Sequence, residues 1–456
     1  GNQMNENIFR AYDVRGNSSH DLTDDVVKII GSVLGEYVKE FGDNSIYLGH
    51  DSRLSKDRIK KSLISGIHSV GVDVNYLGLV PTPMVYYATK KGISNHGVMI
   101  TGSHNPKEDN GLKIVIDGNS ISGLEIKKRV KNYKYDKDLT AQTFSQDLTN
   151  DYLNEIKRNA PIGKPMKVIL DAGNGAAGPL AKRVFENIGI DIISINEEPD
   201  GNFPNHHPDP GKEKNLVQLK EEIIRNDADI GFAFDGDGDR VGLVAKSGNQ
   251  VLSDHIIMLL SQYFLKLKKG SIVYDVKCSN ELPKLILEHG GKPVMEKTGH
   301  FNIKNRIKET SAILGGEMSG HIFINHNWYG FDDAIYTAAI ITSILSNDKH
   351  TLDEMVSKFP KTYSTEELNL NVKDEQKFGY VKTFIEKMNF PNADVNLLDG
   401  VRVSYENSWG LLRASNTSPK LVLRFEGNSQ DDLEDIKEKF ETNLKMIFPD
   451  LELIYS

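Results

Sequence analysis

The sequence predicts an α/β protein: three related αβ domains with mixed, largely parallel sheets plus a C-terminal α+β domain, arranged around a central cleft. Three observations lead there. The chain has 456 residues, too many for one core and suited to roughly three or four domains of about 100–150 residues. Its first three quarters repeat one pattern of strand, helix and strand, which reads as αβ units. Its last stretch, about 95 residues, breaks that pattern.

Each repeat opens with a short apolar strand that ends in polar residues: SIYLGHDSR (45–53), KVILDAGNG (167–175) and SIVYDVKCS (271–279). A segment of helical period with a late glycine follows: KKSLISGIHSVGV, GPLAKRVFENIGI and ELPKLILEHGG. Later in each repeat a strand runs into a loop of small and polar residues: GVMITGSHNP, DIGFAFDGDGDR and AILGGEMSGH. The last region reads as strands LDGVRVSYE, WGLLRASNTS and KLVLRFEG, then an acidic-start helix, DDLEDIKEKFETNLKMIF. The expected domains are 1–147, 148–250, 251–362 and 363–456. Open αβ sheets place ligands at the carboxyl ends of their strands, so loops from all four domains are expected to meet in a cleft.

Composition excludes several classes. Hydrophobic residues make up 38% and charged residues 26%, with a net charge of −9. That balance gives no global drive toward nucleic acid or an anionic membrane. Cys278 is the single cysteine, which forbids an intrachain disulfide, fits a reducing compartment and reads as structural. No apolar run approaches the ~20 residues that span a bilayer. Gly1–Gln3 precede Met4 and read as a remnant of expression, and the N-terminus carries no signal-peptide pattern. A cytoplasmic location is expected.

Four loops carry chemistry. In DGDGDR, Asp235, Asp237 and Asp239 alternate with glycines that allow a tight turn after an apolar strand. Convergent carboxylates repel one another unless a cation sits among them, and all-oxygen ligands favour Mg²⁺ or Ca²⁺ over zinc. An EF-hand is excluded, because Arg240 and Lys246 stand where its glycine and glutamate would be. In TGSHNP, a stiff Gly-flanked turn presents the Ser103 hydroxyl; His104 is adjacent, and Lys113 lies a few residues on. Taken alone that segment also reads as a simple turn. In GEMSGH, Glu317 and Ser319 suit neighbouring sugar hydroxyls, and His321 suits proton exchange. In RASNTSPKLVLR, Arg413 and Arg424 frame Ser415, Asn416, Thr417 and Ser418, a donor set suited to a phosphate dianion.

Two further segments read as decoys. Gly173–Gly178 fits G-x-G-x-x-G between a strand and a helix, with Glu197 and Glu198 downstream as a dinucleotide site requires. Asp171, however, would face an anionic pyrophosphate. NFPNHHPDPG offers His206, His207 and Asp209 as metal ligands, yet adjacent histidines do not easily share one ion, and three prolines mark a rigid loop. No P-loop signature is present.

Together and in this order, IFRAYDVRG (8–16), TGSHNP, DGNFPNHHPDPGK (200–212), DGDGDR, KTGHFNIK (297–304), GEMSGH and RASNTSP resemble the α-D-phosphohexomutase superfamily over nearly the whole chain. GEMSGH is similar to its bacterial phosphomannomutase/phosphoglucomutase branch. Phosphoglucosamine mutases carry Gln, and dedicated phosphoglucomutases a second Glu, where this chain has Met318. The resemblance implies three αβ domains and a four-stranded C-terminal domain around a cleft. It implies a phosphoryl group on Ser103 and Mg²⁺ held by Asp235, Asp237, Asp239 and a phosphoserine oxygen. Arg15, His104, Lys113 and Arg240 are implied near the reacting phosphoryl, Lys113 as general acid/base. Tyr12, Lys277, His300, Glu317, Ser319 and His321 are implied as sugar contacts, and Arg413, Ser415, Asn416, Thr417 and Arg424 as the loop for the other phosphate. A hexose 1,6-bisphosphate is the implied intermediate and activator. Small-molecule hexose phosphates are the expected partners, with no nucleic acid, membrane or obligate protein partner. The rival classes are a metal-dependent phosphatase, a dinucleotide oxidoreductase and a non-catalytic sugar-phosphate binder. They would show, respectively, phosphate release, nicotinamide binding, and no need for Ser103 or the aspartates.

Overall fold

The computed structural model describes residues 4–134 and 137–456. Its first three sheets share one plan: a central strand between two parallel neighbours, with a fourth strand antiparallel to the third. In the first, Ser45–His50 lies between Asp73–Leu79 and Gly97–Ile100, and Asp109–Ile116 runs antiparallel beside Gly97–Ile100. In the second, Lys167–Asp171 lies between Asp191–Ile195 and Ile230–Phe234, with Val241–Ala245 antiparallel. In the third, Ser271–Asp275 lies between Lys292–Glu296 and Leu314–Gly316, with Ile322–Ile324 antiparallel. Parallel neighbours need long helical crossovers, whereas an antiparallel pair closes with a short loop. The short loops 101–108, 235–240 and 317–321 therefore occupy the same place in each sheet.

The fourth sheet is antiparallel, and its pair Ser408–Ala414 and Lys420–Gly427 encloses loop 415–419. It has six strands, not the four that the resemblance implies. The additional ones are short: Tyr363–Ser364, and the exposed Asp394–Asn396. Segments of two or three residues carry no readable alternation. One face of this sheet packs Leu412, Leu421, Leu423 and Phe425 against the helix Gln430–Ile447. The register puts Trp409, Arg413, Arg424 and Glu426 on the other face.

Packing joins these units unevenly. The second and third share one core, in which the helix Ala334–Ser346 is buried almost all round and Tyr336 stacks on Trp328 at 3.9 Å. The C-terminal unit touches the third through a small patch of Val276, Trp409 and Leu411. Beside it, buried Arg402 donates to the carbonyl of Cys278 at 2.9 Å and lies over the Trp409 ring. Cys278 is wholly buried, and burial, with Asp275 beside it, pushes its thiol well above the ordinary range. Among the described residues, no helix is long and apolar enough to cross a membrane.

The helices Asp24–Lys39 and Lys56–Ser69 touch backbone to backbone through Gly31 and Gly66. A Cβ on Gly66 would stand 2.0 Å from the Lys28 carbonyl oxygen. Gly66→Ala is therefore expected to destabilise the first unit by about 1–3 kcal/mol, although alanine is the better helix former. Urea unfolding followed by circular dichroism would register this as an earlier first transition; an unmoved midpoint would refute the contact's importance.

Candidate active site

The serine loop is held from below. Ser103 is buried at φ 57, a left-handed conformation that a serine adopts only when its surroundings fix it. Its N–H donates to Thr101 Oγ1 at 2.8 Å, and the Thr101 hydroxyl donates to Asp51 Oδ2 at 2.7 Å. Fully buried Arg53 donates to the carbonyls of Ser103 at 3.1 Å and Asn105 at 2.8 Å, and also to those of Pro106 and Asp109. From the second unit, the His207 ring bonds to the His104 carbonyl, and a Cβ on Gly236 would meet the Ser103 carbonyl oxygen at 2.2 Å. The Ser103 hydroxyl then lies 3.1 Å from His104 Nδ1 and 3.4 Å from Asp235 Oδ2. Burial and the nearby Arg240 and Arg15 push His104 well below the ordinary histidine range. Arg15 itself reaches the loop, donating to Asn105 Oδ1 at 3.0 Å.

The acidic loop is the electrostatic centre. Asp235, Asp237 and Asp239 are fully buried, with carboxylate oxygens within 4.8 Å of one another. Lys113 Nζ donates to Asp237 Oδ2 and Asp239 Oδ2, each at 2.6 Å, and Thr82 donates to Asp237 as well. Burial lowers Lys113's affinity for its proton, but Asp237 and Asp239 more than reverse this and raise it well above the ordinary range. Burial, with Asp239 and Asp237 close by, holds Asp235 well above the usual carboxylate range. Asp239 goes the other way: despite burial, Lys113 and His321 keep it ionised. Asp237 Oδ1 and Asp239 Oδ1 are buried without a hydrogen-bond partner. Buried orphan oxygens on convergent carboxylates fit a divalent cation with oxygen ligands.

A third loop zips onto the second. Val241 N–H donates to the Gly320 carbonyl at 3.1 Å, and Arg240 Nε to the Ser319 carbonyl at 2.9 Å. Glu317 accepts from Gly299 N–H at 2.7 Å, and Ser319 Oγ lies 2.7 Å from His321 Nδ1. Burial opposes protonation of His321, yet Asp239 and Glu317 hold it up to about 9. His300 is pushed well below the ordinary range by burial, with Lys304 and Lys113 nearby. Tyr12 joins three units: its hydroxyl donates to the Thr298 carbonyl at 2.7 Å and accepts from Asn416 Nδ2. In the C-terminal loop, Ser415 Oγ accepts from Thr417 and Ser418 N–H, and Arg413 Nε donates to Asp399 at 3.1 Å. Arg424 Nε is buried without a partner, and Lys277 pairs with Glu367 at 3.2 Å across the same junction.

The residues around Ser103, the aspartates and GEMSGH form one contiguous cluster, and the loop between Arg413 and Arg424 is tied to the first and third units through Asn416 and Tyr12. Sequence reading missed Asp51, Arg53, Thr101 and Thr82, which hold the loops rather than face the cleft. The polar end of SIYLGHDSR marked where Asp51 and Arg53 lie, but not that they turn inward, and Thr82 and Thr101 carried no signal of their own. The decoys have structural partners: Asp171 accepts from Gly173 N–H and lies 2.7 Å from His206 Nε2, and Asp209 pairs with Arg240.

Family models for phosphoglucomutase/phosphomannomutase match four successive stretches: alpha/beta/alpha domains I, II and III at residues 6–137, 150–248 and 252–363, and the C-terminal domain at 367–442. A phosphomannomutase/phosphoglucomutase of Pseudomonas syringae pv. tomato is 44% identical over 452 residues, covering 98% of this chain and 97% of the relative. A phosphoglucomutase of Neisseria meningitidis serogroup A is 39% identical over 454 residues, covering 97% and 98%. The crystal structure of a phosphoglucomutase/phosphomannomutase family protein from Burkholderia thailandensis superposes with a TM-score of 0.93 at 38% identity, over 99% of this chain and 100% of that one.

Lys113→Met would leave the carboxylates without their ammonium. Removing one partner of a buried ion pair costs about 3–5 kcal/mol, so the variant should melt well below the wild type in chelator and gain more from added Mg²⁺. Equal Mg²⁺-dependent shifts in differential scanning fluorimetry would contradict this electrostatic account.

Proposed function

The chain belongs to the phosphoglucomutase/phosphomannomutase family, and from that premise we propose that it interconverts the 6-phosphates and 1-phosphates of mannose and glucose through a phosphoserine at Ser103 and a hexose 1,6-bisphosphate. The observation that carries the reading is the buried Ser103 hydroxyl, held at φ 57 and 3.4 Å from the first of three buried carboxylates. A cytoplasmic setting, hexose phosphates as partners, and domain divisions near 147, 250 and 362 belong to the same proposal.

Asp235, Asp237, Asp239 and a phosphoserine oxygen would hold Mg²⁺, which when bound neutralises charge on the transferring phosphoryl group. The chain's own residues do the rest. Arg15 and Arg240 flank the serine loop and bind the equatorial oxygens. The Ser103 Oγ–P bond breaks as the free sugar hydroxyl bonds to phosphorus, and one proton moves from that hydroxyl to Ser103 Oγ through the acid/base group Lys113; when the other phosphate returns to Ser103, the same relay runs backwards. His104 Nδ1, 3.1 Å from Ser103 Oγ, orients that hydroxyl for the exchange. Glu317, Ser319 and His321, with Tyr12, Lys277 and His300, hold the sugar; Arg413, Ser415, Asn416, Thr417 and Arg424 hold the phosphate that is not being transferred. Positioning and charge neutralisation account for most of the rate in this chemistry.

Intact mass and peptide mapping should place a phosphate on Ser103 in a fraction of the purified protein. Ser103→Ala should lower kcat by orders of magnitude with the fold intact. Phosphate found only elsewhere in active enzyme would sink the assignment, and release of inorganic phosphate from hexose phosphates would favour a phosphatase.

Specificity follows from the two poses a mutase must accept. The C3 and C4 hydroxyls occupy similar places when the sugar turns end for end, whereas the C2 hydroxyl does not. A site that grips C3 and C4 through Glu317 and Ser319 tolerates either C2 epimer. Met318 offers an amine only a weak thioether acceptor. Mannose and glucose 1-phosphates should therefore show kcat/KM within about tenfold (~1.4 kcal/mol), with glucosamine 1-phosphate clearly worse. A coupled assay with catalytic hexose 1,6-bisphosphate measures this; a preference beyond a hundredfold for one C2 epimer would show that the site reads C2.

A further inference from the structure

A cavity of about 370 Å³ lies between the first and third units, outside the cleft. Three ammonium groups share its wall: Lys90, Lys304 and Lys308. Lys304 and Lys308 are four residues apart on the helix His300–Thr310, so they lie on one face. Lys90 and Lys308 converge from opposite sides on one turn: Lys90 Nζ donates to the Gly118 carbonyl at 3.0 Å, and Lys308 Nζ to Asn119 Oδ1 at 2.6 Å. Both acceptors are neutral, and among the described residues neither lysine has a carboxylate within ion-pair distance. The carboxylate in the wall, Asp117, accepts from Asn95 Nδ2 at 3.0 Å. Lys304 forms the deep end, with its ammonium 3.2 Å from Asp332 and 3.1 Å from the Tyr86 hydroxyl.

Asp332 offsets Lys304, but Lys90 and Lys308 converge with neutral acceptors alone, and like charges so placed repel one another unless an anion lies among them. Burial, together with Lys308 and Lys304, accordingly lowers Lys90 below the usual lysine range.

We propose that this cavity is an accessory site for a small phosphate-bearing anion, held by Lys90 and Lys308 with Lys304 as its floor. It is distinct from the Arg413 to Arg424 loop and needs none of the residues proposed for phosphoryl transfer. Lys304 also links it to the cleft, because the other oxygen of Asp332 lies 3.8 Å from His321 Nε2. An anion that draws Lys304 away from Asp332 would alter the charge facing that ring.

Inorganic pyrophosphate is a suitable probe. Titration calorimetry of the full chain in chelator should resolve two classes of site. In the double variant Lys90→Gln/Lys308→Gln one class should weaken at least tenfold, while kcat and KM for hexose 1-phosphate stay at wild-type values. In Arg413→Ala that same class should persist. Pyrophosphate inhibition of wild type should include a component that sugar phosphate does not compete away, and the double variant should lack it. Identical isotherms for wild type and the double variant would overturn the proposal, as would a single class of site abolished by Arg413→Ala. The single variant Lys308→Glu, on an exposed position, provides a second reading and should weaken the same class further. The calorimetric result stands or falls independently of the mutase assignment.

Discussion

Lys113 Nζ lies 2.6 Å from both Asp237 and Asp239, and much of the molecule is arranged around that contact. Three carboxylates with no exposure sit beside the serine proposed to carry the phosphoryl group. Burying each ion costs several kcal/mol after relaxation, so cations must be present from several directions. Lys113 comes from the first sheet and Arg240 from the acidic loop itself. His321 comes from the third unit, 3.7 Å from Asp239. A divalent cation would take the buried oxygens that these groups leave without partners. Charges brought from separate units also tie those units together, because removing any one leaves the others uncompensated.

The repeated antiparallel fourth strand explains how this convergence is achieved. In each αβ sheet the parallel strands are joined by helices that lie on the faces, away from the cleft. Among the four strands of the shared plan the last connection is the short one, and a short connection can hold a strained residue in place. Ser103 at φ 57 is such a residue, whereas Gly320 at φ +103 holds a conformation that glycine adopts without strain. A Cβ on Gly320 would stand 2.9 Å from the Val241 carbonyl oxygen. Glycine there lets the third unit's loop lie against the second unit's strand and carry His321 up to Asp239.

How much of this was readable in the sequence depends on the kind of information involved. The three repeats were legible because each strand is a continuous apolar run followed by polar residues, a pattern that burial on both faces imposes. DGDGDR was legible because alternating glycines and aspartates after such a strand have few purposes. Arg53 was not legible. It sits at the polar end of its strand as an ordinary solvated arginine would, and only the fold turns it inward to bind four carbonyl groups. His207 was read as part of a proline-rich loop, and it lies outside any helix or strand; that its ring reaches the His104 carbonyl depends on how two units dock, which no local pattern records. The short strands of the fourth sheet were missed for a simpler reason, since two or three residues cannot display a period.

The C-terminal unit completes the site with little apolar contact. Its sheet covers its own core with one face and presents Trp409, Arg413, Arg424 and Glu426 on the other. Apolar contact with the third unit is confined to Val276, Trp409 and Leu411, supplemented by polar bonds such as Ser279 to Glu426 and Arg402 to the Cys278 carbonyl. Contact with the first unit runs through Asn416 and the Tyr12 hydroxyl. A small apolar patch beside polar bonds can separate at far lower cost than the shared core of the second and third units. That asymmetry suits a reaction in which an intermediate must leave one pose and return in another. The shared core of the second and third units holds the carboxylates and Glu317 in one frame, while the face proposed to grip the other phosphate is carried by the unit with the smaller apolar contact. Tyr12 is well placed to report which condition holds, because its hydroxyl bonds at once to the third unit through Thr298 and to the fourth through Asn416. Moving the fourth unit away would break the Asn416 bond alone, and the Thr298 bond would still tie the first unit to the third.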